Sequence, residues 1–161
     1  MDADGWFYEA VATARALLDS KEPQTWQVTT LTGTGGGTFG DSVVSRFDSP
    51  RGTAIVKIVK RNGVGSDHPL SWRRELDIYN SAWLRSRLPT GLQLPDCLGS
   101  ATTDEAAVIV VADVPFDDPL ARDVAWYGDL ATLLARMSTC VADDSTVPSW
   151  VSRGFLEHEI G

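Results

Sequence analysis

Five of the eight residues from Gly33 to Gly40 are glycine, and β-forming residues stand on both sides of the cluster. Nothing else in the chain restricts its fold as much. Trp26, Val28, Thr29, Thr30 and Leu31 run into the glycines, and a strand-like stretch from Ser42 to Phe47 leaves them, so the cluster joins strand to strand. Gly35, Gly37 and Gly40 satisfy G-x-G-x-x-G, but a dinucleotide fingerprint needs a helix directly after the loop to receive the pyrophosphate. β-branched residues stand there instead. Gly35 to Ser42 also comes close to the phosphate loop G-x-x-x-x-G-K-[ST], with Asp41 at the lysine position. A carboxylate there repels phosphate where a cation is required. The loop can be a plain hairpin connection made pliant by glycine. It can also be a flap, Gly35, Gly36, Gly37, Thr38, Phe39 and Gly40, that closes over ATP and offers backbone N–H groups with few side chains in the way.

A flap over ATP makes two further demands on the chain. A lysine on the third strand must reach the phosphates, and a glutamate on the next helix must hold that lysine. Asp48-Ser49-Pro50-Arg51-Gly52 is a turn by composition, and Thr53 to Val59 after it is a β-branched strand containing Lys57. A lysine between Val56 and Ile58 is costly to bury without an anion or a carboxylate partner. Lys60 is the rival, at the strand end where water should solvate it. A helix is expected from about Ser71 to Arg87, with Trp72, Leu76, Tyr79, Trp83 and Leu88 along one face. Glu75 lies early in it and is placed to pair with Lys57. Its plain alternative is a solvated position on the helix surface.

The other elements follow from periodicity. Trp6 to Asp19 reads as an opening helix with Trp6, Ala10, Thr13, Ala14 and Leu17 at helical spacing. Pro95 to Ser100 and Glu105 to Val111 read as two paired strands joined by Thr102-Thr103-Asp104. Asp113 to Pro119 is a linker. Ala121 to Val141 reads as a helix with Leu130, Leu133, Leu134 and Met137 on one side. A helix, about five strands with one helix inserted after the third, a linker and a final helix make an α+β fold with an antiparallel sheet.

Charge and length narrow the partners. The 161 residues suit one domain with a core, and the net charge of -8 with a pI near 4.6 argues against nucleic acid as a partner. Basic residues cluster only locally, at Lys57, Lys60, Arg61, Arg73, Arg74, Arg85 and Arg87, which leaves room for a nucleotide. No apolar run approaches the ~20 residues of a membrane span, and the acidic start Met1-Asp2-Ala3-Asp4 lacks the basic region of a secretory signal. A cytoplasmic location without membrane contact is expected. Cys97 and Cys140 are expected as unpaired thiols, and His68 and His158 stand alone, so no metal motif is formed.

The order of these features resembles the aminoglycoside phosphotransferase/choline kinase-like family, which has a protein-kinase-like fold. Arg74-Glu75-Leu76-Asp77-Ile78-Tyr79 and the run from Leu88 to Gly99 resemble its glutamate-bearing helix and the approach to its fourth strand. Val108 to Val114 resembles the fifth strand and hinge, and Leu130 to Met137 the first helix of the C-terminal lobe. The resemblance implies an N-terminal nucleotide-binding lobe at residues 1–112, a hinge at 113–119 and the start of a helical lobe at 120–161. It implies ATP as the nucleotide, with main-chain groups of Ala112, Asp113 and Val114 holding adenine, and phosphoryl transfer to a hydroxyl of a small molecule.

The family's catalytic loop, H-G-D-x-x-x-x-N, and the acidic metal-binding motif after it do not occur in the sequence. Tyr127-Gly128-Asp129 mimics the first triplet, but Leu134 stands where Asn is needed. Asp143-Asp144 lacks any matching context. The chain is therefore expected to be inactive alone, with magnesium bound only when the rest of the C-terminal lobe is supplied. It would be a truncated phosphotransferase, one half of a split kinase completed by a complementary C-terminal chain, or a non-catalytic kinase-like binding module. Apolar surface on the 121–141 helix would favour self-association.

Overall fold

The computed structural model describes residues 5–20, 23–31, 42–65, 68, 71–114, 124–142, 146 and 148. The expectations for Gly35, Gly36, Gly37, Thr38, Phe39 and Gly40, for the side chain of Cys140, and for Asp143, Asp144 and His158 lie outside the described residues. The fold is α+β. Its elements are α1 (Gly5–Asp19), β1 (Gln27–Thr30), β2 (Ser42–Ser49), β3 (Gly52–Lys60), α2 (Arg74–Asn80), α3 (Ala82–Arg85), β4 (Cys97–Thr102), β5 (Ala106–Ala112) and α4 (Val124–Ala142). The five strands form one antiparallel sheet in the order β1-β2-β3-β5-β4. Chain contacts divide it into two compact units, one holding residues 5–80 and 96–113, the other residues 81–95 and 114–148.

Strand alternation decides what the first unit buries on each side of its sheet. Ala54, Val56 and Ile58 of β3 point to one face, where they join Phe47, Ala106, Val108, Val110 and the buried Ala10 and Ala14 of α1. The two alanines let α1 lie close to the sheet, with Trp6, Val11 and Leu17 packed around them. On the other face, Leu76 of α2 packs with Ala107 and Ile109, bordered by Trp72, Tyr79 and Val111. β5 is thus covered on both sides, which explains its unbroken run Ala106-Ala107-Val108-Ile109-Val110-Val111-Ala112. Burying each of Ile58, Ile109 and Phe47 contributes about 1.5–3 kcal/mol.

Polar side chains close the connections. Ser49 Oγ, at the end of β2, donates to the Gly52 carbonyl at 3.0 Å and accepts from Arg51 N–H at 3.3 Å. Thr103 Oγ1 accepts from Ala106 N–H at 3.0 Å between β4 and β5. Asp19 ends α1, and its Oδ1 accepts from both Gln24 N–H at 3.1 Å and Trp26 Nε1–H at 2.9 Å.

The single helix expected over 71–87 is two short ones. Ser81 is extended (φ -91, ψ 118), and its hydroxyl accepts from Trp83 N–H, capping α3. A serine side chain that satisfies a helix-start N–H competes with continuation of the preceding helix. The two pieces also fall in different units, α2 in the first and α3 in the second. In the second unit, Arg87 stacks over the Trp83 ring at 4.6 Å, and both side chains donate to Thr146 Oγ1. On α4, Leu130, Leu133 and Met137 are half-buried while Leu134 is exposed.

Candidate functional site

Lys57 lies on the face of β3 opposite α1, in the row Val44–Lys57–Ile109 across β2, β3 and β5. α2 packs over the β5 and β4 part of that face. Its first turn carries Glu75, whose Oε1 accepts from the Lys57 ammonium at 2.5 Å. The lysine side chain is 32% exposed and the glutamate 44%. An ammonium has three donors; this contact uses one and leaves the group able to meet an anion from the open side. The helix break at Ser81 does not disturb the pair, because Glu75 sits in the first turn of α2, well before the break. Lys60 does not compete. It projects to the opposite face, where its ammonium lies 5.2 Å from the Trp6 ring, so the ring, and not water alone, is its neighbour.

The glycine segment is flanked as a strand-to-strand connection requires. β1 and β2 pair antiparallel, Leu31 N–H donates to the Val44 carbonyl at 2.9 Å, and Ser42 opens a strand rather than a helix. The two strand ends that bracket residues 32–41 therefore stand beside the Lys57 row.

Two residues further along β2 the next row is Arg46–Ile55–Val111. Directly paired residues share a face and the row spacing is roughly 7 Å. Val44 and Ile55, both half-buried, form an apolar floor between the Lys57–Glu75 pair and Arg46. The Arg46 guanidinium binds two carboxylates, Nε to Asp48 Oδ1 at 3.0 Å and Nη2 to Asp113 Oδ2 at 3.3 Å. Arg46 and Asp48 were not found from sequence. Only their alternation with Ser45 and Phe47 signals that they share a face, and nothing local names their partner beyond β5.

The hinge residues are placed differently from one another. Ala112 ends β5, and its N–H donates to the Asp96 carbonyl at 2.8 Å, so that N–H is already committed. Asp113 is held by Arg46. Val114 begins the second unit and is 57% exposed. Asp129, on α4, is exposed. Among the described residues there is no group of three or more His, Cys, Asp or Glu side chains that could hold a metal ion.

A cleft of about 350 Å³ lies elsewhere, lined by Leu17, Gln24, Trp26, Arg51 and Leu98 among others, and includes neither Lys57 nor Glu75. The candidate site is a half-open face of the sheet, not this cleft. Among the described residues no helix is long and apolar enough to cross a membrane. Comparison with protein-family models, with curated proteins and with solved structures returned no match.

Proposed function

We propose that the first unit is a protein-kinase-like nucleotide-binding lobe, of the kind found in the aminoglycoside phosphotransferase/choline kinase-like family, and that it binds ATP on the Lys57 face of its sheet. The observation that carries this reading is the Lys57–Glu75 ion pair between β3 and α2. A partly exposed ion pair adds at most about 1 kcal/mol to stability, so fold stability is a weak reason for a lysine in the middle of a strand. Positioning an ammonium for polyanionic phosphates is a sufficient one. The base would lie on Val44 and Ile55, with its edge toward the main chain near Asp113. The triphosphate would run to Lys57, beside the strand ends that bracket the glycine segment.

Phosphoryl transfer is not assigned to these residues, because the catalytic H-G-D-x-x-x-x-N pattern is absent from the sequence. No step is routed through magnesium. The contribution proposed for this chain is nucleotide capture within a phosphotransferase acting on a small hydroxyl-bearing molecule.

Titration calorimetry with ATP tests the reading. The native chain should bind, and Lys57→Ala should weaken binding at least tenfold, a difference of about 1.4 kcal/mol. Absence of any heat of binding to the native chain at millimolar ATP would sink the nucleotide reading and leave a non-catalytic docking module as the better account.

A further inference from the structure

We infer that Arg46 is a positioning residue for the base end of the nucleotide, acting through Asp113 to fix the main chain that leaves β5. The inference rests on the nucleotide reading above and adds to it a residue, a direction and a specificity.

Arg46 is on β2 and Asp113 follows β5, so the guanidinium spans the intervening β3 at the row occupied by Ile55. It also holds Asp48 two residues along its own strand. A planar guanidinium can fork between two carboxylates in a way an ammonium cannot. The main chain at this point needs such a tie. Ala112 is the last residue of the β5 ladder, and its N–H is committed to the Asp96 carbonyl. Asp113 comes next, where the sheet no longer holds the backbone, and Arg46 anchors its side chain.

The charges also give the site a direction. Lys57 with Glu75 sums to zero and presents an ammonium. Asp48, Arg46 and Asp113 sum to one negative charge. A triphosphate is therefore drawn to the Lys57 end and repelled from the Arg46 end, which leaves the uncharged base beside Asp113. Without Arg46, two carboxylates would stand unneutralised beside the base, and Asp113 would lose its anchor.

Affinities for ATP and for inorganic tripolyphosphate, which has no base or ribose, separate this role from a general one. The ratio of the two affinities cancels any through-space charge effect common to both ligands. Arg46→Ala should lower the ratio about fivefold, in line with one partly exposed ionic contact. Asp113→Ala should lower it similarly, and Arg46→Lys should recover part of the loss. Lys57→Ala should weaken both ligands and leave the ratio near native. Circular dichroism checks that each variant is folded, and the Asp113 variant carries the test if Arg46→Ala is not. A native ratio in both the Arg46→Ala and Asp113→Ala variants overturns the assignment while the nucleotide site stands. Native protein that binds tripolyphosphate but ATP no more tightly also overturns it. Native protein that binds neither ligand overturns the nucleotide reading and this inference together.

Discussion

The ammonium of Lys57 and the carboxylate of Glu75 meet at 2.5 Å, joining the middle of β3 to the first turn of α2 while each side chain stays about a third or more open to solvent. Such a pair controls where a charge is held more than how firmly the fold is held. Glu75→Gln should therefore shift the thermal midpoint by no more than a few degrees, the shift that about 1 kcal/mol produces in a domain of this size. Its ATP affinity should fall roughly tenfold, because the ammonium loses its tether. The exchange Lys57→Glu with Glu75→Lys keeps the pair and reverses its direction. It should melt near the native temperature and bind no ATP in calorimetry. Native affinity in the exchanged protein would show that the direction of the pair is irrelevant.

Asp19 does the joining between α1 and β1. One carboxylate oxygen accepts two hydrogen bonds, from Gln24 N–H and from Trp26 Nε1–H, and Trp26 packs against the α1 side of the core. Hydrogen bonds to a charged acceptor are worth about 1.5–3 kcal/mol when partly buried. Asp19→Ala should cost an amount in that range by urea denaturation, and Asp19→Asn, which keeps one acceptor oxygen, should cost less. Equal losses in the two variants would mean that charge, not hydrogen bonding, holds the connection.

The strands were readable because their two faces meet different neighbours. Ala54, Val56 and Ile58 needed a cover that Ile55, Lys57 and Val59 did not, and a β-branched stretch interrupted by Lys57 carries that pattern openly. The Lys57–Glu75 contact was readable for a related reason: a lysine inside such a strand requires a partner, and Glu75 is on the next helix. The break at Ser81 was not readable from the apolar spacing, which continues through it. It depends on one hydroxyl choosing the Trp83 N–H, a local competition that periodicity does not register. The Arg46 bridge was hidden more deeply. It joins residues far apart in the chain, and only the strand order that inserts β5 beside β3 brings Asp113 within its reach.

Gly99 of β4 lies against Leu17 of α1. A Cβ added there would sit 3.3 Å from Cβ and Cδ2 of Leu17, tighter than ordinary contact, and the Leu17 Cβ is fixed to the helix backbone. Gly99→Val should overpack the contact and cost about 1–3 kcal/mol. Gly99→Val combined with Leu17→Ala should regain part of that loss. Thermal melts of the single and double variants check the coupling; strict additivity would place the strain elsewhere.

Ile55 and Ile58 stand on the same strand and serve opposite faces, so equal truncations should have unequal consequences. Ile58 is fully buried with Phe47, Val56 and Val108 under α1, and Ile58→Ala should destabilise by about 2–5 kcal/mol. Ile55 is half-buried on the Lys57 face, so Ile55→Ala leaves a smaller cavity and should cost less. Ligand binding should show the reverse order. Ile55 and Val44 are the floor proposed for the base, so Ile55→Ala should weaken ATP several-fold and leave tripolyphosphate unchanged. Ile58→Ala, measured well below its melting temperature, should bind both ligands as the native chain does. The crossed pattern, stability lost at Ile58 and base affinity lost at Ile55, follows only if the two faces of one strand divide the work of holding the fold and holding the ligand. Were Ile58→Ala to weaken ATP as much as Ile55→Ala does, the base would not be resting on the Lys57 face.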